Sequence, residues 1–253
     1  MKSFIAKIFL ISLISFPLWA TDSPLSEAVS KINLVSAKKP ITTFSIDGVD
    51  VGVGISAWSD TLGGNNYFVE SAQLGTFKDS LTVLNFAGDG DDHYIDNGRY
   101  YDMVLFSFEE AVTLKGASFF SIDKYKKANG KNDVTVAGLS DDALGLFTSG
   151  KNTWNDISMK AIAGASGHFG INNLQSTFEG LNAAKYWLVG AYNSVFSSVN
   201  NKRNSIGFKL AALDIELKKP SIQQPPTEVS EPGALALMSL GLGLVLYRRK
   251  RRA

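Results

Sequence analysis

The chain has 253 residues and no cysteine, which excludes disulfide bonds, thiolate metal sites and a cysteine nucleophile. Its 25 basic and 24 acidic residues nearly balance, but seven of the basic residues lie at the two ends. Between residues 20 and 231, 18 basic and 23 acidic residues remain, so the middle is mildly acidic and a poor binder of nucleic acid.

The N-terminus has the composition of a secretory signal. Lys2 and Lys7 precede an apolar run over residues 8–16, and the small residue Ala20 marks a cleavage site, so residues 1–20 are predicted to be a signal peptide. The competing interpretation is a transmembrane helix, but the run falls short of the roughly 20 residues needed to span a bilayer. Residues 21–40 show only a faint helical spacing and are predicted to form an irregular or short helical arm.

From residue 41 the apolar residues recur with a period of two, the pattern of a half-buried strand. Val49–Ala57 alternate with small and polar residues and predict a strand that ends at Trp58. Further strands are predicted at Tyr67–Phe77, Leu81–Phe86, Asp102–Phe108, Val112–Ile122, Asp133–Ala137, Ile157–Ile162, His168–Ile171, Ala184–Tyr192 and Ser205–Leu217. A hairpin turn is expected at Glu109-Glu110, and a shift in apolar phase after Ala212 predicts a β-bulge in the last strand.

The segments between these strands are predicted from their turn residues. Asp141–Asn155 is expected to be a loop and Asn172–Gly180 a helical turn. About ten short strands without an alternating helix predict an all-β fold, an antiparallel β-sandwich or jelly roll over residues 41–217, with a barrel as the alternative.

One acidic run is a candidate metal site. Asp89, Asp91, Asp92 and Asp96 cluster on one predicted loop, and carboxylates on a loop are the oxygen ligands that Ca²⁺ prefers. The spacing does not fit an EF-hand, because tyrosines stand at the glycine and bidentate glutamate positions. The competing interpretation is a solvated turn between strands, and no other cofactor is expected.

Several aromatic residues are candidates for carbohydrate binding. Trp58, Trp154 and Tyr186 supply rings that stack on sugar faces, although the same residues also suit the core of a sandwich. A hydrolase would have to use His93 or His168, the only two histidines, and neither lies in a nucleophile motif.

The C-terminus has three parts in a fixed order. Residues 218–230 hold three of the seven prolines and are predicted to be an extended linker. The tail at 231–253 begins with Glu-Pro and continues with about 15 apolar or small residues at 233–247, about 22 Å of helix against roughly 30 Å of hydrocarbon. A basic cap of Arg248, Arg249, Lys250, Arg251 and Arg252 follows. Residues 233–247 are therefore predicted to be a short transmembrane helix with the cap on the cytoplasmic side.

This tail resembles the PEP-CTERM sorting signal, with Val229, Ser230, Glu231 and Pro232 as its motif and Ser230 in place of the usual proline. The resemblance implies processing by exosortase, a membrane protease or transpeptidase of Gram-negative bacteria that make extracellular polysaccharide. The middle also resembles the exosortase-dependent surface protein family. That resemblance is carried by Ile55–Ser59, Asp92–Gly98, Asp102–Phe108, Tyr186–Asn193 and Gly207–Leu210. It transfers no catalytic residue to this chain.

Three functional hypotheses follow. The first is a non-enzymatic exported protein that inserts into the inner membrane with its C-terminus inside, is cut by exosortase and reaches the cell surface or matrix. The second is a lectin-like module that binds exopolysaccharide through Trp58, Trp154 or Tyr186, with or without Ca²⁺. The third is a secreted hydrolase.

Overall fold

The computed structural model describes most of the predicted domain and little of the two ends. The described residues are 29–34, 41–46, 48–62, 66–85, 93–98, 100–123, 132–196, 206–217 and 247–248. The chain divides into two compact units, Met1–Leu217 and Lys218–Ala253. The predicted signal peptide, the linker, the sorting motif at 229–232, the helix at 233–246 and the basic residues after Arg248 all lie outside the described residues. Within the described part of the chain, no helix combines the length and the hydropathy that crossing a membrane requires.

The first unit is built almost entirely of antiparallel strands. Its described strands are β1 (Ser30–Asn33), β2 (Ile41–Ile46), β3 (Val49–Asp60), β4 (Val69–Phe77), β5 (Ser80–Leu84), β6 (Ile95–Asp96), β7 (Asp102–Ile122), β8 (Asp133–Leu139), β9 (Ala161–Gly170), β10 (Gln175–Thr177), β11 (Ala184–Ala191) and β12 (Gly207–Leu217). Two helices of five residues each, α1 (Leu144–Thr148) and α2 (Trp154–Ser158), lie between β8 and β9. The all-β prediction is confirmed.

The strands close into a ring instead of forming two separate sheets. β3 pairs with β4, β4 with β5, β5 with β12, β12 with β7, and β7 with β3. The β5–β12 contact is short, a single register pair of Leu81 with Leu210. β11, β8 and β9 extend the sheet outward from β7. The sandwich prediction is therefore corrected to a closed five-stranded barrel, which removes free strand edges at the point of closure.

β7 is one strand of 21 residues, and the predicted hairpin at Glu109-Glu110 is wrong. Its first half pairs with β3 and its second half with β12. Phe108 and Val112 are both even-numbered and both buried, so the same apolar phase resumes after the exposed Glu110, as expected for one continuous strand. Glu109 points outward and accepts a hydrogen bond from the Gly52 amide at 3.1 Å.

Local signals account for the other differences from the predicted elements. β1 lies in the segment predicted to be a helical or irregular arm and pairs with β12 through residues 212–215. The predicted loop and strand around residue 155 contain α2, whose capping box joins Thr153 and Asp156. The predicted helical turn at Asn172–Gly180 is a tight hairpin, because Asn173 and Leu174 both have positive φ. The bulge predicted in the last strand is confirmed by register shifts on either side of Ala212.

The buried side chains form two clusters on opposite faces of the sheet. The main core contains alternate residues of the ring strands and of β8 and β11, such as Val53, Phe106 and Val189. The second core lies on the other face, where Leu105 and Leu188 are covered by α1, α2 and the 3-10 turn Ser194–Phe196. The central sheet is therefore buried on both faces.

Candidate functional site: a polar cavity at one end of the barrel

A cavity of about 230 Å³ opens at the end of the ring where β3 ends and β4 and β7 begin. Eight described residues line it, and all of them except Ala72 carry polar side chains. They are Ser59, Asp60, Thr61, Glu70, Ser71, Ala72, Asn85 and Tyr100, and together they define the mouth cavity. The strand register explains the gathering, because Ser59 pairs with Glu70 on one side and with Asp102 on the other.

Two carboxylates stand in the wall of the mouth cavity, and a third lies behind it. Asp60 is buried and accepts a hydrogen bond from the Tyr101 amide at 2.8 Å, while Glu70 is exposed. Asp102 is fully buried, and its carboxylate accepts the side-chain amide of Asn85 and the backbone amide of Asp96, each at 3.4 Å. None of the described lining side chains is basic and two are carboxylates, so their charges disfavour an anion.

Asn85 leaves one hydrogen-bonding atom unused. Its Oδ1 is buried and has no hydrogen-bond partner, while its Nδ2 is directed at Asp102. A buried acceptor without a donor costs stability until a donor reaches it. Asn85 lines the mouth cavity, but this oxygen has almost no accessible surface, so a bound molecule would reach it only after the Asn85 side chain turns.

Of the predicted Ca²⁺ ligands, Asp96 is described, whereas Asp89, Asp91 and Asp92 lie outside the described residues. Asp96 is buried, and its Oδ1 accepts the Gly98 amide at 2.7 Å. In the described part of the chain, no three acidic or histidine side chains lie close enough together to hold a metal ion.

The segment around Asp96 has a clear structural task. The Nδ2 of Asn97 donates to the Tyr192 carbonyl at 2.7 Å, and its Oδ1 accepts the Ile206 amide at 2.8 Å. One side chain therefore ties the end of β11 to the start of β12.

The three aromatic residues predicted to bind carbohydrate all belong to the second core. Trp154 is fully buried, so its ring has no free face on which a sugar can stack, and that part of the prediction is corrected. Trp58 and Tyr186 are partly exposed and pack against the same cluster. The helices that cover this sheet face have only five residues each, and the sequence pattern did not reveal them.

The two histidines are far from equivalent. His93 is exposed and has a positive φ of 59°. His168 is partly buried, with its Nδ1 3.0 Å from the Thr135 hydroxyl and its ring centroid 4.5 Å from that of Tyr192. Burial lowers the pKa of His168 to about 4, against an opposing effect from Asp133. A group with that pKa is a poor general base at neutral pH.

The sequence alone does not predict the mouth cavity, because its lining residues come from separate segments that meet only after the ring closes. Asp60 and Asp102 carried a partial signal, since each is a carboxylate at the very end of an apolar strand. Comparisons of the chain with protein-family models, with curated proteins and with solved structures found no match.

Proposed function

We propose that this chain is a non-enzymatic exported protein of the cell surface or extracellular matrix of a Gram-negative bacterium. Exosortase sorts and cuts it through the C-terminal signal, and its role is linked to exopolysaccharide and biofilm. The observation that carries the proposal is the order of the tail, in which Glu231-Pro232, the apolar residues 233–247 and the basic residues 248–252 follow one another without interruption. The signal-like residues 1–20 agree with that direction of export.

The length of the tail helix and the basic cap after it fit a segment that is inserted in the membrane and then cut. A helix of about 22 Å is short for about 30 Å of hydrocarbon, so it is a poor permanent anchor. The basic cap still holds the chain end in the cytoplasm while a membrane enzyme reaches the Glu-Pro motif on the other side. Residues 233–247 then act as a temporary handle.

Pulse labelling followed by intact-mass measurement tests this proposal. In cells that contain exosortase, the mature chain should lose both the signal peptide and the residues after the Glu-Pro motif. Glu231→Ala should leave the tail attached, while Glu228→Ala, a matched change three residues earlier, should be cut normally. A wild-type chain that keeps its full C-terminus in such cells would contradict the proposal.

A second function, carbohydrate binding by the folded domain, is favoured by the mouth cavity. Its side chains offer hydroxyl, amide and carboxylate groups together, which is the hydrogen-bonding chemistry that sugar hydroxyls require. Pull-down with the polysaccharide of the producing strain tests this function. Binding that is the same with and without Ca²⁺ would separate it from the metal hypothesis, and no retention on the polymer would count against it.

The hydrolase hypothesis gains no support from the described histidines. His168 bonds to Thr135, which is also engaged by the Asn193 amide at 2.8 Å, so the pair is part of a packed network. We therefore do not propose a catalytic role.

A further inference from the structure

We propose that the mouth cavity binds a single sugar ring that carries no negative charge. This inference deepens the carbohydrate-binding function above and rests on it, but it moves the binding site from the aromatic residues to the barrel end.

The size and shape of the mouth cavity suit one ring. A volume of about 230 Å³ corresponds to about seven or eight water molecules at roughly 30 Å³ each. That space holds one six-membered sugar ring. Glu70 and Ser71 are exposed on the rim, so the neighbouring units of a longer polymer can continue into solvent.

The lining determines which groups a ligand must present. Asp60 and Glu70 are hydrogen-bond acceptors, so a ligand that meets them has to bring donors. Sugar hydroxyls donate, and an amino group donates with a positive charge. A ligand hydroxyl that reaches Asn85 after its side chain turns would satisfy one of the buried polar atoms that lack a hydrogen-bond partner in the described part of the chain.

The same lining disfavours two other ligand classes. Anions such as phosphate or uronate would meet Asp60 and Glu70, and no basic side chain among the described lining residues offsets that repulsion. A metal ion would need several free carboxylate oxygens, but both oxygens of Asp102 already accept hydrogen bonds from the Asn85 amide and the Asp96 amide. Charge selectivity therefore separates the sugar proposal from its alternatives.

The test uses three methyl glycosides that differ at one position of the same ring. The full chain is titrated with the glucoside, the glucosaminide and the glucuronide, with binding followed by ligand-observed NMR up to about 100 mM, a hundredfold above a millimolar Kd. The wild-type protein should bind the amino sugar best, the neutral sugar next and the uronate least.

Two variants locate the binding. Glu70→Lys changes an exposed rim residue and should weaken the amino sugar about threefold and strengthen the uronate by a similar factor, the size of effect expected for exposed charge pairs. Asn85→Leu should weaken all three sugars about tenfold by removing a polar side chain from the lining. Thermal melts recorded alongside show whether each variant is folded.

Glu110→Lys is the matched control. Glu110 is also exposed but lies eight residues along β7 from Asp102, roughly 26 Å away at about 3.3 Å per residue. It should leave all three affinities unchanged. If Glu110→Lys shifts them as much as Glu70→Lys, or if none of the sugars binds the wild-type chain, the cavity proposal is wrong. Exosortase processing is measured separately, so failure of the cavity proposal leaves the export proposal standing.

Discussion

The indole Nε1 of Trp187 lies 3.1 Å from the carbonyl oxygen of Val112, so a fully buried ring on β11 is bonded to the middle of β7. The same nitrogen also donates to the Ala184 carbonyl at 3.0 Å. The Trp187 side chain therefore donates hydrogen bonds to two backbone carbonyls in the main core.

Replacing this ring tests how much the contact contributes. Trp187→Phe should lower the free energy of unfolding by about 2–3 kcal/mol, because it leaves a small void and removes the donor from two buried carbonyls. Urea denaturation measures the change. The control is Trp58→Phe, since Trp58 is partly exposed and bonds only to the nearby Ser56 hydroxyl, and it should cost less than about 1 kcal/mol. Equal losses of unfolding free energy in the two variants would contradict the larger contribution assigned to the Trp187 ring.

Gly190 allows β11 to approach β7 closely. A Cβ at this position would lie 2.5 Å from the Asp102 carbonyl oxygen and 2.6 Å from Cγ of Met103. Gly190→Ala should therefore destabilise the domain by about 3 kcal/mol or more, because backbone must move. Gly145→Ala, in α1 with nothing within 4 Å of the added Cβ, should instead stabilise by about 0.5–1 kcal/mol. Thermal melting of both variants checks the pair.

His168 predicts a loss of stability in mild acid. Its folded-state pKa of about 4 is below its ordinary value of 6.5, so the unfolded chain takes up a proton first as the pH falls. The free energy of unfolding should decrease between pH 6.5 and 4, by on the order of 1–2 kcal/mol once the partial exposure of the ring is allowed for.

His168→Asn isolates this effect, because asparagine keeps an acceptor for the Thr135 hydroxyl but does not titrate. Urea denaturation across that pH range should show a flatter profile for the variant. Hydrogen bonds with Lys160 lower the pKa of Asp142, and hydrogen bonds with Thr153 lower the pKa of Asp156. These two groups stabilise the folded state at higher pH, and their contribution is lost only as the pH falls below about 4, outside the range of the His168 effect. An unchanged slope in the variant would show that another group is responsible.

The capping box of α2 should stabilise the cover of the second core. Thr153 accepts the Asp156 amide at 3.2 Å, and Asp156 accepts the Thr153 amide at 2.8 Å. Thr153→Ala should cost about 1 kcal/mol and raise the pKa of Asp156 toward its ordinary value, because the Thr153 hydroxyl bond is lost. Thr148→Ala, which removes a hydroxyl bonded to the Gly145 carbonyl at an exposed site, is the matched control and should change stability little. Carboxyl NMR titration and melting measure both effects.

The local parts of the fold could be predicted from sequence, and the reason is visible in particular residues. The alternation from Val49 to Ala57 needs only neighbours in the chain, and so does the phase shift after Ala212 that marks the bulge. Two adjacent charged residues, Glu109 and Glu110, are typical of a turn, but buried even-numbered apolar residues continue on both sides of the pair. Closure of the ring depends on Leu81 meeting Leu210, and no local pattern carries that contact.

The candidate site was harder to predict for the same reason. Glu70, Asn85 and Tyr100 come from separate segments, and only the strand register brings them around one cavity. Trp154 shows the converse difficulty, since its burial depends on α1 and α2 covering a sheet face that the strand pattern alone leaves open. A single sequence reports which residues alternate, but the tertiary arrangement decides which face is covered.

The position of β12 in the ring sets the order in which the domain can be completed. β12 ends at Leu217 and pairs with β1, β5, β6 and β7. These four earlier strands therefore cannot complete their backbone pairing before β12 is present. Until residues 207–217 have left the ribosome, those strands have unpaired backbone edges, which favour aggregation. A chain cut short before residue 207 should accumulate as insoluble material, and productive folding should begin only after nearly the whole domain has emerged.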